Sequence, residues 1–146
     1  MNAKLLMGVG IILLVFGVYY RLNPLTPKVK VGKAVFTVDV AVIGAQKSKG
    51  LGGRISLDPN KGMLFPYDHT EQYEFWMKDM KFPLDFVWIR GKTVADIHER
   101  IAPPTSSEQP VIVKPKVAVD KVLELNAGTV AKYGINIGDS VEFLDK

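Results

Sequence analysis

The stretch Tyr73-Glu-Phe-Trp-Met-Lys-Asp-Met-Lys-Phe-Pro-Leu-Asp-Phe-Val-Trp-Ile89 sets two apolar runs around a charged corner containing Pro83. Strand side chains alternate between faces, so Tyr73, Phe75 and Met77 share one side of the first run and Glu74, Trp76 and Lys78 the other. In the second run, Leu84 to Ile89, both faces are apolar except at Asp85. That is the pattern of a central strand covered on both sides, with one carboxylate at its entrance. A carboxylate in that position needs partners, because a buried charge is tolerated only when paired or hydrogen-bonded.

Working outward, Leu84–Arg90 and Thr93–His98 flank Gly91-Lys92 with hairpin spacing. Upstream, Ala34–Ile43 alternates as a strand, Gly62–Tyr67 reads as another, and Asp68–Gln72 as a turn before a strand over Tyr73–Met77. Downstream, Arg100–Pro115 carries Pro103, Pro104, Pro110 and Pro115 and predicts a loop or edge segment of a length that often serves function. Val117–Leu125 returns to strand, Asn126 can cap a short helix through Tyr133, and Gly134 supplies a left-handed stop. Ile135–Phe143 closes the chain with a turn and a final strand. The fold class is mainly β, a β-rich α+β arrangement: a compact barrel-like domain with one or two short helices.

The 73–89 block, with Lys61-Gly-Met-Leu-Phe65 before it and Val122-Leu-Glu-Leu-Asn-Ala-Gly128 after it, resembles the prokaryotic family known as domain of unknown function 192. The resemblance extends over nearly all of residues 33–144. It implies the fold, and within 46–54 a short helix followed by the turn Gly50-Leu-Gly-Gly-Arg54. It implies no chemistry, since the family has no established activity. Where the family pattern is Gly-Leu-Met, this chain has Gly50-Leu51-Gly52, which removes an apolar anchor and predicts a looser turn.

The chain of 146 residues supports one domain behind an apolar N-terminal run. Leu5–Tyr20 holds sixteen residues without a charge between Lys4 and Arg21. As a helix it would be roughly 24 Å long, slightly short of the ~30 Å hydrocarbon core. Lys4 and Arg21 can snorkel, and Tyr19 and Tyr20 suit an interface. The competing reading is a cleaved signal, but Val18-Tyr-Tyr-Arg-Leu22 lacks a small-x-small site. The expected organisation is therefore a signal anchor or transmembrane helix over 1–22, a linker over 23–32 containing Pro24 and Pro27, and the β-rich domain over 33–146. Basic residues after the span favour a cytoplasmic domain, whereas the short basic lead resembles an export signal. The expectation is a single-pass protein of the cell membrane with its domain extracytoplasmic.

Residues 21–54 hold seven Lys or Arg and one acid, Asp39, while everything after Arg54 holds eleven bases and fourteen acids. This polarity suits anionic headgroups, an envelope glycan or another anionic polymer as partner; it equally suits a solvated linker. Nucleic acid is disfavoured, because no aromatic platform is interleaved with those lysines. With no cysteine there is no disulfide framework and no lipoprotein attachment site. No His-x-His or H-E-x-x-H is present, so no metal is expected; nor does any motif call for a cofactor.

The polar residues at strand ends and corners are Arg54, Lys78, Asp79, Asp85, His98 and Glu99. Asp85 either anchors its corner through backbone N–H groups or, converging with Asp79 on a cleft, acts as acid or base in hydrolysis of a glycosidic or ester bond. His98 and Glu99 are adjacent on a strand and so point to opposite faces. Trp76 either covers the core or forms a stacking platform for a sugar ring, whereas Trp88 reads as core. The first functional reading is a ligand-binding or envelope-associated module using Arg54, Trp76, Lys78, Glu99 and the 100–115 loop around one shallow cleft. The alternative is a hydrolase using Asp79 or Asp85.

Overall fold

The computed structural model describes residues 26–105 and 111–144. The segment expected to anchor the chain, 1–22, lies outside the described residues, as does 106–110 of the proline loop. No helix among the described residues is long and apolar enough to cross a membrane.

The described residues form strands β1 (Lys28–Val31), β2 (Ala34–Val40), β3 (Lys61–Glu71), β4 (Phe75–Trp76), β5 (Leu84–Arg90), β6 (Thr93–Ile101), β7 (Ile112–Val113), β8 (Val119–Asn126) and β9 (Val141–Leu144). Two short helices, α1 (Gly44–Lys49) and α2 (Thr129–Tyr133), interrupt them. Seven strands make one sheet in the order β6-β5-β8-β3-β2-β1-β9, and β4 pairs only with β7. The sheet curls into a half-barrel. Its edges approach one another where Thr93 bridges Ser140 and the Val94 amide donates to the Asp139 carbonyl at 2.9 Å.

Strands β3, β5 and β8 are covered on both faces. Val87, Ile89, Leu123 and Leu125 point into one apolar cluster with Phe36 and Val130. Phe86, Trp88 and Val122 point into the other with Phe65, Phe75 and Met77. The two-sided apolar pattern of Leu84–Ile89 arises from this position, since a central strand must satisfy both clusters.

Several boundaries differ from expectation. The linker proposed for 23–32 gives way at Lys28: in Lys28-Val-Lys-Val31 the valines are buried and the lysines partly exposed, and this strand pairs with both β2 and β9. The turn expected over Asp68–Gln72 is mostly strand, because β3 runs to Glu71 through a register shift after Pro66. The strand expected over Tyr73–Met77 shrinks to Phe75–Trp76, since the chain turns at Asp79, whose φ is 58°. Part of the proline loop is β7, which pairs Ile112 with Trp76. Asn126 does not cap α2; its side chain donates to the Leu57 and Asp58 carbonyls, and Gly128 precedes the helix in a left-handed conformation. Gly134 stops α2 at φ 63°.

Candidate functional site

Asp85 is fully buried and spends its carboxylate on backbone amides. Oδ1 accepts from the Arg100 amide at 2.8 Å and the Gly128 amide at 3.1 Å, and Oδ2 from the Val130 amide at 2.9 Å. Charge-assisted bonds of this kind are among the stronger hydrogen bonds in proteins. They tie the end of β6 and the approach to α2 onto β5, and they hold Arg100 at a φ of 54°. Asp85 lines none of the hollows around the turn after α1.

That turn is where the surface opens. Gln46 accepts the Val42 and Ile43 amides at 2.9 and 3.2 Å, which starts α1. The Gly50 amide closes it on the Gln46 carbonyl at 2.8 Å. Leu51 then enters the core, and Gly53 donates to the Asp79 carbonyl at 3.0 Å, joining the turn to the corner after β4. Gly52, where a looser turn was expected, sits close against neighbouring backbone. A Cβ there would lie 2.8 Å from the Lys49 carbonyl oxygen and 3.2 Å from that of Lys78, so the glycine permits a close backbone approach while Leu51 supplies the apolar anchor.

Three adjoining hollows share Lys49 and Gly52. One of them, about 240 Å³ in volume, lies between α1 and β4, with Lys47, Lys78, Tyr67 and Trp76 among its walls and Glu124 in its lining. Glu124 is the group that the sequence reading passed over. It is only 4 % exposed, and its Oε2 has no hydrogen-bond partner. Sheet register puts it there: Glu124 faces Met63 on β3 and Phe86 on β5, pointing opposite to Leu123 and Leu125. Burial pushes its carboxyl up to about 8, against a smaller opposing pull from the Arg54 guanidinium. Near neutral pH the floor of this cleft is therefore a carboxylic acid with a proton to donate. Gly50 stands beside it: a Cβ there would lie 3.8 Å from Oε2, in ordinary van der Waals contact. The available signal was a carboxylate amid residues apolar on both faces of a strand.

Around that floor, the Lys47 ammonium donates to the Pro66 carbonyl at 2.6 Å and sits 4.0 Å from the centre of the Tyr67 ring. Tyr67 stacks on Tyr73 at 3.6 Å, and burial pushes its hydroxyl up to about 12. Trp76 is 49 % exposed, with the Lys78 ammonium 5.8 Å from its ring centre. Of the residues singled out in the sequence, Trp76 and Lys78 thus meet in this cleft. Arg54 lines the second hollow and pairs with Asp39 at 2.8 Å. Asp79 lines the third, while Glu99 stands exposed on β6 and lines none of them. His98 accepts the Trp88 indole N–H on Nδ1 at 2.8 Å, an inward structural bond.

The family model described as an uncharacterised ACR, domain of unknown function 192, matches residues 27–143. The chain belongs to this family. Its fold is shared with a candidate transcription regulator from Sinorhizobium meliloti, at 35% identity and a TM-score of 0.73, covering 81% of this chain and 93% of that one. It is also shared with a protein of unknown function from Novosphingobium aromaticivorans, at 31% identity and a TM-score of 0.70, covering 79% and 83%. No curated protein matches the chain. The family fold thus positions the Glu124 cleft through β8, and the matched residues include every wall of that cleft.

Proposed function

We propose that this chain is an envelope-associated binding module, held at the membrane by the apolar run Leu5–Tyr20 with its domain outside, and that the Glu124 cleft holds a saccharide. The observation that carries the reading is the unpartnered Oε2 of a buried carboxyl on the lining of an open cleft. Leaving such an atom unsatisfied costs about 1–3 kcal/mol, a cost that a ligand hydroxyl would remove. The half-exposed Trp76 offers an apolar face to a sugar ring. A volume of about 240 Å³ suits one ring with its neighbours on a chain running out into solvent.

Hydrolysis by Asp79 and Asp85 has less support, because Asp79 lines a different hollow and Asp85 is committed to three amides. The regulator description of the Sinorhizobium protein is not carried over, since the clustered lysines here surround a small cleft rather than a groove that could track a nucleic-acid backbone. Calorimetric titration of the protein with wall-glycan fragments tests the proposal. Saturable binding that Trp76→Ala weakens about fivefold is expected, as loss of a stacking face is worth on the order of 1 kcal/mol. Binding indifferent to Trp76→Ala, or no binding, would refute it.

A further inference from the structure

The charged groups facing Glu124 fall into two sets. Lys47 and Lys49 come from α1, Lys78 from the corner after β4, and Arg54 from the turn between them; Tyr67 comes from β3 and Glu74 precedes β4. Its strand neighbours Met63 and Phe86 do not titrate. Arg54 is engaged by Asp39, and Glu74 by Lys114 at 3.2 Å. None of Lys47, Lys49 and Lys78 forms an ion pair with a carboxylate among the described residues. The Arg54 guanidinium pulls on the Glu124 carboxyl more weakly than burial pushes it. The cleft therefore combines an uncompensated cationic rim, an exposed indole face and a buried, unpartnered carboxyl.

We propose that the cleft selects a small hydroxylated ring bearing a carboxylate or phosphate, its anionic group toward Lys47, Lys49 and Lys78, a ring face against Trp76, and one hydroxyl on Glu124. This rests on the saccharide reading of the same cleft and adds the ligand's charge. A neutral sugar would leave the lysines without a counter-charge, and an amino sugar would meet like charge at the rim. The ring hydroxyl accepts a hydrogen bond from the protonated Glu124 carboxyl, so ionisation both removes that donor and sets a negative charge beside an anionic ligand. Binding is consequently favoured below the titration of Glu124 and lost above it.

The test uses the full-length protein in a detergent without a sugar headgroup. Glucuronate, glucose 6-phosphate, glucose and glucosamine are titrated between about pH 6 and about pH 9, with affinity read by calorimetry and by Trp76 fluorescence. One or both anions should bind at least about tenfold more tightly than glucose near pH 6, weakening by up to about tenfold per pH unit above the titration of Glu124. The ratio of the two anions assigns carboxylate or phosphate. Glu124→Gln, which keeps a neutral N–H donor, should bind glucuronate, whose charge is constant here, with an affinity that does not change across this range. Lys78→Ala, an exposed change, should weaken the anions by a larger factor than it weakens glucose. Equal affinity for glucose and the anions would overturn the charge selectivity while leaving the saccharide reading standing; no binding of any sugar would remove both. Preference for glucosamine with affinity rising with pH would overturn the proposal by showing that Glu124 acts as an anion.

Discussion

Replacing Glu124 by Gln should stabilise the protein at alkaline pH and do almost nothing in acid. In the unfolded chain this carboxyl titrates at its ordinary 4.5, whereas burial pushes it up to about 8 in the fold. Below 4.5 it is protonated in both states and contributes no pH dependence. Between the two values the folded protein holds a proton that the unfolded chain has released, so stability falls as pH rises, and the loss is complete above about 8. At 1.36 kcal/mol per pH unit the full interval corresponds to on the order of 5 kcal/mol. Entry of water into the open cleft relieves part of this, so roughly 3 kcal/mol is the expected gain of Glu124→Gln above the transition. Against a total stability of about 5–15 kcal/mol such a change is large. Urea unfolding followed by tryptophan fluorescence at a series of pH values measures it. The two proteins should unfold at similar urea concentrations in acid and diverge in favour of the glutamine as pH rises. Parallel curves from acid to alkaline pH would show that the carboxyl ionises as an ordinary surface acid, and the reasoning about the cleft floor would fail.

Four other outcomes follow from the same structure. Asp85→Asn should lower stability by about 3 kcal/mol, because an amide nitrogen would confront backbone donors at Arg100, Gly128 or Val130; an unchanged urea midpoint contradicts this. Gly52→Ala should cost on the order of 2 kcal/mol and weaken ligand binding, since its Cβ would press on the Lys49 and Lys78 carbonyls; a melt and titration identical to wild type would show that the backbone yields freely. His98→Ala should cost about 1–3 kcal/mol by orphaning the buried Trp88 indole N–H, with a change in tryptophan emission as its companion signal. Full-length protein should stay with the membrane after carbonate extraction, given the uncharged run Leu5–Tyr20; recovery of a soluble product starting near Val18 would mean cleavage instead.

Local pattern carries a large part of this fold. The alternation in Ala34–Val40, the hairpin around Gly91-Lys92 and the stop at Gly134 are all legible because strand periodicity and positive φ depend on nearest neighbours. Even the burial of Asp85 is visible, as one acid inside an apolar run. The identity of its partners is not, because the Gly128 and Val130 amides lie more than forty residues away.

The candidate site belongs to the second category. Trp76 and Lys78 stood out as exposed chemistry beside a core strand, but the carboxyl that floors their cleft lies on β8, and Glu124 reaches it only because β3 and β8 pair in one register. A slip of one residue would turn Glu124 into the face occupied by Leu123 and Leu125. Likewise the valines of Lys28-Val-Lys-Val31 look like part of a tether until β2 and β9 flank them. The sequence by itself determined which residues alternate, which turns need glycine and that Leu5–Tyr20 carries no charge. Only the tertiary structure decided that Glu124 would lose its water without gaining a partner, because desolvation is a property of what packs around a group, and here every neighbour comes from elsewhere in the chain.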